Sequence, residues 1–288
     1  MKRILLIGGY GMLGRPVARR LAEAGFPLIA LARRPEAARE LLPEGTEVIE
    51  GDLRNPESIR RAADGADAVY INLATENHRA GFRTELDGTK NVLKALGGRR
   101  EVLVAKLSTL RCQRTGWWLD MDQKFEAEEA IRSSGHPYLI FRPSWFYESL
   151  PLFVRKGTLI RFGPDFLPLY WIAGDDYARQ VTEAFRQGRR DRVYEVQGPE
   201  PLGFDEAARR FIAAYDPSIR LRHMPLWPMR LAAMFQPQFH TLVQLSDWCS
   251  THREENWSEE TWADLGRPGM TVEDYAEYIK ATGDWPSK

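Results

Sequence analysis

The feature that most constrains the fold is a glycine-rich loop between a short apolar run and a helical pattern. The run Ile4–Ile7 is wholly aliphatic and predicts a strand buried on both faces. The segment Gly8–Gly14 follows at once and reads GGYGMLG. Apolar residues then recur at helical spacing from Val17 to Ala22. A strand, a glycine loop and a helix in this order predict the start of a doubly wound α/β fold.

The glycines of this loop are spaced for anion binding. The patterns G-x-x-G-x-x-G and G-x-G-x-x-G both occur in it and share Gly11 and Gly14. Glycines let the backbone come close to a pyrophosphate, and the helix N-terminus offers free N–H groups to that anion. The alternative is a plain tight turn between strand and helix. The predicted dinucleotide-binding residues of the loop are Gly8, Gly9, Tyr10, Gly11, Met12, Leu13 and Gly14.

The end of the second predicted strand indicates which dinucleotide is bound. A site for NAD(H) usually has an acidic residue here, which binds the ribose 2′-OH. This chain has Arg33 and Arg34 instead, and its first acid is Glu36. Because a guanidinium forms paired hydrogen bonds with a phosphate, the arginines favour NADP(H) over NAD(H). Arg33 is the stronger candidate since it comes first, and the alternative is a solvated charge pair at a helix start.

Two further strand ends are predicted to line the cofactor. Asp52 and Leu53 follow the third strand, where a doubly wound sheet has its adenine pocket. Asp52 is expected to accept from the adenine amino group, or else to cap the following turn. Leu73, Ala74 and Thr75 end the fourth strand, where we expect the backbone to line the ribose.

Strands and helices alternate for about 140 residues, which predicts a parallel sheet with helices on both faces. A dinucleotide-binding domain is therefore expected over 1–150 and a smaller, mainly helical substrate lobe over 151–288. The two are interleaved, because a strand at 192–197 is expected to return to the first sheet. The strands are predicted at 4–7, 26–32, 46–50, 66–73, 101–107, 138–141 and 192–197. The main helices are predicted to begin at Asn55-Pro56 and to cover 86–96, 122–133, 176–185 and 204–214.

The charge balance and the rarity of cysteine exclude several classes of protein. Forty Lys and Arg residues balance forty Asp and Glu residues, which argues against binding to nucleic acid or to a membrane surface. Two cysteines without a C-x-x-C pair, and five histidines without i+3 or i+4 spacing, predict neither a disulfide scaffold nor a metal site. No apolar segment has the length of a signal peptide or a membrane span. We expect a cytoplasmic monomer or homodimer.

Several segments together resemble a known family. In chain order they read GGYGMLG, LARRPE, GDLRNPESI, LDGTKNVLKAL, KFEAEEAIRSSG and YLIFRPSWFYESL. They are similar to the atypical extended short-chain dehydrogenase/reductases, and most of all to the NmrA-like and isoflavone-reductase-like groups. The resemblance covers residues 1–215. It implies a Rossmann-type sheet of about seven strands and a smaller C-terminal substrate lobe.

The resemblance also implies an active site with one departure from the family pattern. That pattern is Tyr-x-x-x-Lys with an upstream Ser or Thr. Lys124 matches the lysine and Ser108 the serine, but Asp120 stands at the tyrosine position. Because an ionised aspartate is a poor acid, this departure puts alcohol–ketone chemistry in doubt. Lys124 is expected to hydrogen-bond the nicotinamide ribose and to stabilise negative charge, as opposed to being a solvated lysine paired with Glu128 at i+4.

Aromatic residues are concentrated beside these candidate residues. Trp117 and Trp118 precede the predicted helix of Lys124, and residues 144–147 follow the sixth strand. They are expected either to stack on a flat substrate or to pack in the core. Tyr147 is a candidate proton donor in place of the missing tyrosine.

Three functions remain open on the sequence. The first is an NADP(H)-dependent oxidoreductase that reduces a small, flat, conjugated acceptor such as a quinone-like or enone-like molecule. The second is a non-catalytic NAD(P)-binding redox sensor or regulator of NmrA type, which the missing tyrosine favours. The third is a nucleotide-sugar epimerase or dehydratase, which the missing tyrosine disfavours.

Overall fold

The strands and helices are described for residues 2–73, 81–236 and 238–285 of a computed structural model. In chain order the strands are β1 (Ile4–Ile7), β2 (Leu28–Ala32), β3 (Glu47–Glu50), β4 (Ala68–Ile71), β5 (Leu103–Leu107), β6 (Tyr138–Pro143), β7 (Val154–Arg155), β8 (Thr158–Phe162), β9 (Leu169–Tyr170), β10 (Arg192–Val196), β11 (Pro201–Leu202) and β12 (Arg220–Met224). The α-helices are α1 (Gly14–Glu23), α2 (Pro35–Leu41), α3 (Pro56–Ala62), α4 (Thr84–Leu96), α5 (Leu119–Arg132), α6 (Gly174–Arg186), α7 (Phe204–Tyr215), α8 (Trp227–Ala233), α9 (Gln238–Thr251), α10 (Glu259–Leu265) and α11 (Val272–Thr282). A 3₁₀ helix covers Tyr147–Phe153.

Seven strands form one sheet in the order β10-β6-β5-β4-β1-β2-β3. The pairs β3–β2, β2–β1, β1–β4, β4–β5 and β5–β6 are all parallel. The order reverses between β1 and β4, and doubly wound sheets bind their ligands at the carboxyl ends of the strands at such a point. The predicted Rossmann-type α/β fold is confirmed.

Burial explains why the strands read as unbroken apolar runs. Every residue of β1, β2, β4 and β5 is buried. Side chains of alternate strand residues, such as Val69 and Val104, pack with Ile59 of α3, Val92 of α4 and Ile131 of α5 in one apolar cluster. A strand covered on both faces has no solvent side, so its sequence shows no alternation.

The predicted helix starts are only partly correct. The Asn55 side chain accepts a hydrogen bond from the Glu57 N–H at 3.1 Å, and Pro56 is the first helical residue of α3, as expected. The predicted start of the α5 helix at Asp122 is wrong, because α5 begins three residues earlier. Asp122 lies in the first turn of α5, where its carboxylate accepts the backbone N–H of Gly116 at 2.9 Å and so holds the preceding loop.

The chain divides into two compact units. The first unit consists of the residues up to Pro143 together with Tyr177–Glu195, and the second of Ser144–Asp176 together with the residues from Val196 onward. The later segment of the first unit places β10 at the edge of the seven-stranded sheet, as the sequence predicted for 192–197. Its helical part places the Tyr177 hydroxyl 2.9 Å from that of Tyr70 on β4, and both side chains are buried.

The second unit has its own aromatic core and more strand than expected. Its largest buried side chains include Trp171, Phe204 and Phe211. In addition to helices, it contains a three-stranded sheet β12-β8-β7 and a two-stranded sheet β11-β9. The sequence did not predict these short strands.

Candidate cofactor-binding and active site

Three glycines of the Gly8–Gly14 loop are required by the packing of the first unit itself. Gly8 has a φ of +75°, and a Cβ there would lie 1.9 Å from the Asn72 carbonyl oxygen. A Cβ on Gly14 would lie 2.2 Å from the Gly8 carbonyl oxygen, and one on Gly9 would lie 2.7 Å from the Leu6 Cβ. These distances leave no room for a side chain between the loop and its neighbours, which are β1, the end of β4 and the first turn of α1.

Gly11 is different, because the described residues around it leave room for a side chain. Gly11 is exposed, and a Cβ on it would meet only the Gly8 carbonyl oxygen, at 3.4 Å. Leu13, at the N-cap of α1, gives no side-chain acceptor to the first helical N–H groups, and the first turn contains no acidic residue. An open backbone surface beside such a helix start fits the pyrophosphate of a dinucleotide. Tyr10 and Met12 are half-buried beside it.

The two arginines lie at the carboxyl end of β2. Arg33 and Arg34 are both exposed and follow Ala32 directly, and Arg34 is the N-cap of α2. The nearby acid Glu36 accepts a hydrogen bond from the Arg39 guanidinium at 2.8 Å. Glu36, the first acidic residue after β2, is therefore paired with Arg39 of the same helix.

Most of the residues predicted to line the adenine and the ribose make contacts with other residues of the protein. The Asp52 carboxylate accepts the Arg54 N–H at 2.8 Å, which is the turn-capping alternative; a contact with adenine stays a prediction. Leu53 and Leu73 both face Gly88 of α4, whose absent Cβ would lie 3.3 Å and 3.2 Å from their Cδ1 atoms. Ala74 and Thr75 lie outside the described residues.

Ser108 follows β5 directly and donates into a buried ionic network. Its hydroxyl donates to Glu128 Oε1 at 2.5 Å, and both residues are buried. Arg142 donates to the same carboxylate from Nη2 at 2.6 Å and from Nε at 3.0 Å, and Arg132 donates to it at 3.0 Å. The proton of Ser108 is therefore directed at Glu128, and its oxygen remains able to accept.

Lys124 pairs with a residue that sequence reasoning missed. Its Nζ donates to Oε1 of Glu85 on α4, and only 15% of its side chain is exposed. The alternative of a solvated lysine paired with Glu128 is therefore wrong. The second oxygen of Glu85 accepts a hydrogen bond from Lys106 Nζ on β5, and both of these side chains are fully buried.

Glu85 and the two lysines stabilise each other's charges, whereas the two lysines repel one another. Burial alone would raise the pKa of Glu85, but the two lysines hold it below its usual value. Burial lowers the pKa of Lys106, and the attraction of Glu85 opposes that effect. A signal for the cluster was present in the sequence, because Lys106 interrupts the apolar run VLVAKL of a buried strand.

The residue at the tyrosine position lies on the same helix as Lys124. Asp120 is half-buried in the first turn of α5. Just before α5, Trp117 is 47% exposed whereas Trp118 is buried, with their ring centroids 6.2 Å apart. The two indole rings stack on each other, and of the two it is Trp117 that reaches the surface.

Tyr147 lies in the core of the second unit. Its ring stacks on Trp171, with a centroid distance of 6.2 Å, and on Tyr275, at 6.0 Å. It is fully buried, and burial raises the pKa of its phenol. Trp145 packs against the same core. These contacts favour the core-packing alternative, and a proton-donating role for Tyr147 stays a prediction.

Comparison with known families decides the assignment. A family model described as NAD(P)H-binding matches residues 8–158, slightly more than half of the chain. The chain belongs to the NAD(P)H-binding family. The match includes the glycine loop, the two arginines, Ser108 and Lys124, so the predicted site residues up to Tyr147 lie within the NAD(P)H-binding segment.

Relatives of this NAD(P)H-binding chain include several oxidoreductases. It is 28% identical over 225 residues to an NAD(P)H azoreductase from Xenophilus azovorans, which covers 75% of each chain. It is 27% identical over 290 residues to an (4-alkanoyl-5-oxo-2,5-dihydrofuran-3-yl)methyl phosphate reductase from Streptomyces griseus, covering 96% of this chain and 98% of the relative. An NmrA-like family domain-containing oxidoreductase from Cladobotryum is 29% identical over 158 residues, which are 51% of this chain and 47% of the relative.

Solved structures of the same fold include two with a bound cofactor. The NADPH complex of the quinone oxidoreductase QOR2 from Escherichia coli has a TM-score of 0.77 and 20% identity, covering 96% of this chain and 99% of that one. The NADP(H) complex of Citrobacter triphenylmethane reductase has a TM-score of 0.75 and 20% identity, with the same coverage. At this identity the likeness establishes the fold. Among the helices of the described residues, none is long and apolar enough to cross a membrane.

Proposed function

We propose that the protein is an NADPH-dependent oxidoreductase that reduces a small, flat, conjugated acceptor. The observation that carries the proposal is Gly11, which lacks a side chain although the described residues around it leave room for one, beside a helix start free of acidic residues. Arg33 supplies a guanidinium at the strand end where a 2′-phosphate is recognised. When bound in this site, NADPH would be the source of the hydride for the acceptor.

The residues of this chain then hold the reactants and stabilise charge. Backbone N–H groups of the Gly8–Gly14 loop bind the pyrophosphate, and Arg33 binds the 2′-phosphate. The Lys124 ammonium hydrogen-bonds the nicotinamide ribose and stabilises the negative charge that the acceptor gains. Water then supplies the proton that completes the reduction.

The nature of the acceptor follows from the missing phenol. Asp120 stands four residues before Lys124, and a carboxylate is a poor proton donor to a carbonyl oxygen. A conjugated acceptor delocalises the incoming charge, so it needs no acid at the moment of hydride transfer. The names of three of the similar proteins agree with this class, because they refer to azo compounds, quinones and triphenylmethane dyes.

A second candidate is a redox sensor that binds NADP(H) without turnover. The observation in its favour is that the Ser108 hydroxyl donates to buried Glu128, so its proton is directed away from any substrate. Without a tyrosine at the Asp120 position, neither residue supplies a ready proton.

Loss of NADPH absorbance with a panel of acceptors separates the two candidates. Quinones, an azo dye and an enone should oxidise NADPH in the presence of the protein, whereas a simple ketone should not. Lys124→Met should lower turnover by about 10²–10³-fold, since one preorganised charge contact is lost. The variant should also lose stability, because Lys124 pairs with buried Glu85, so rates are compared well below its unfolding temperature. NADPH binding without turnover of any acceptor would favour the sensor.

A further inference from the structure

Three charged side chains from three elements of the first unit meet in its interior. Glu85 on α4 and Lys106 on β5 are fully buried, and Lys124 on α5 is 15% exposed. Each lysine donates to a different oxygen of the one carboxylate. The cluster therefore joins two helices and a central strand, and only Lys124 reaches the surface.

The composition of the cluster exceeds what a structural ion pair needs. A buried carboxylate is neutralised by one cation, and burying a second cation adds a desolvation cost. With two ammonium groups on one carboxylate, the cluster carries a net charge of +1 when all three are ionised. Glu128 also attracts Lys106, but Arg142 and Arg132 already pair with it. Within the cluster of Glu85, Lys106 and Lys124, positive charge therefore exceeds negative charge by one.

We infer that Lys106 neutralises Glu85, so that Glu85 fixes the Lys124 ammonium by a hydrogen bond without cancelling its charge. Glu85 and Lys106 are then positioning residues for the reaction given under Proposed function, on which this inference rests. If Lys124 alone faced Glu85, the two would form a neutral pair with little attraction for negative charge on an acceptor. If Glu85 were absent, Lys124 would keep its charge but lose its fixed position, and preorganised charges stabilise transition states best.

Three variants of similar side-chain volume separate the role of Lys106, which neutralises Glu85, from the role of Glu85, which fixes Lys124. Lys106→Met keeps the acceptor for Lys124 but lets Glu85 cancel its charge, so kcat should fall by at least about tenfold. Glu85→Gln with Lys106→Met keeps an amide acceptor and removes the cancelling charge, so most of the lost kcat should return. Glu85→Leu with Lys106→Met removes the acceptor, so kcat should stay low.

A second readout does not depend on activity. Reductive methylation with formaldehyde and a borane, followed by peptide mass spectrometry, measures how accessible each lysine is. Lys90 and Lys94 are exposed on α4 and serve as internal references. Lys124 should be methylated slowly in the native protein, in Lys106→Met and in Glu85→Gln/Lys106→Met. It should be methylated as fast as the references in Glu85→Leu/Lys106→Met.

A matched control comes from a buried ion pair elsewhere. Arg161 donates to Asp205 at 2.6 Å in the second unit. Arg161→Met should lower stability and leave the methylation of Lys124 unchanged. Circular dichroism and denaturant unfolding first establish that each variant is folded.

The outcomes distinguish this inference from the proposed function. Two results would overturn the positioning roles and leave the proposed function standing. One is a folded Glu85→Gln/Lys106→Met variant that is no more active than Lys106→Met. The other is a native Lys124 that is methylated as fast as Lys90. A native protein that oxidises no acceptor would overturn the proposed function. The methylation rate of Lys124 then still reports whether Glu85 holds it. Slow methylation of Lys124 in Glu85→Leu/Lys106→Met would refute that contact.

Discussion

Replacing Gly11 by alanine should weaken NADPH binding while leaving the empty protein at least as stable. Its φ lies outside the left-handed region, and among the residues that the structure describes the added Cβ would meet only one carbonyl oxygen, at 3.4 Å. A Gly-to-Ala change at a compatible position stabilises a protein by about 0.4–1 kcal/mol, because it reduces the freedom of the unfolded chain. The same methyl group would stand between the loop backbone and a pyrophosphate. We expect NADPH affinity to fall at least about tenfold, or about 1.4 kcal/mol.

Gly14→Ala is the matched comparison within the same loop. Its Cβ would lie 2.2 Å from the Gly8 carbonyl oxygen and 2.7 Å from that of Gly9, so the backbone of the loop must shift. Overpacking of this kind costs about 1–3 kcal/mol. This variant should therefore lose both stability and binding.

Urea unfolding of the ligand-free variants measures their stability, and titration calorimetry measures their affinity for NADPH. For Gly11→Ala, the free energy of unfolding should rise or stay the same while the NADPH affinity falls. Native affinity in a folded Gly11→Ala protein would refute the placement of the pyrophosphate. A stability loss above about 1 kcal/mol would refute the open space around Gly11.

Three further outcomes are expected. Arg33→Ala should narrow the preference for NADPH over NADH by roughly tenfold, measured by calorimetry, and a native protein that prefers NADH would contradict the assignment. Tyr177→Phe should lower the free energy of unfolding in urea by about 1–3 kcal/mol, since it leaves the buried Tyr70 hydroxyl without its 2.9 Å partner. The Tyr70→Phe/Tyr177→Phe variant should be closer to the native protein in stability, because it leaves no buried hydroxyl of this pair without a partner. Burial raises the pKa of Tyr70, so the native state keeps a proton that the unfolded state releases. The buried Tyr70 phenol should thus contribute fully to the free energy of unfolding below about pH 10, and this contribution should be lost as the pH rises further. An equally steep alkaline loss of stability in the Tyr70→Phe/Tyr177→Phe variant would disprove that the tyrosines cause it.

The sequence was most informative where local pattern and burial agree. The strand Ile4–Ile7 was predicted with its observed bounds, because a glycine follows it and every residue in it is buried. The start of α3 followed from Asn55-Pro56, since both cap chemistry and backbone restriction are local. Such features depend on residues within a few positions of one another.

The missed features depend on contacts between distant residues. Lys124 had a local candidate partner at i+4 in Glu128, but its observed partner Glu85 lies 39 residues earlier. No spacing rule connects α4 with α5 at that separation. The strand β12 was missed for another reason: four of its five residues are exposed, and its alternation of polar and apolar residues covers only Arg220, Leu221 and Arg222, which is too short to predict a strand.

The discontinuity of the first unit has a consequence for synthesis on the ribosome. Its sheet edge β6 is covered by β10, where Tyr194 stacks on Phe141 at 5.7 Å, and Tyr177 supplies the hydroxyl partner of Tyr70. A nascent chain that has emerged only as far as Pro143 has made six of the seven strands but presents an uncovered apolar edge. The unit cannot complete its fold until residue 195 is available. Such an interval favours aggregation or chaperone binding, so fragments that stop before β10 should be poorly soluble even though they contain the whole glycine loop.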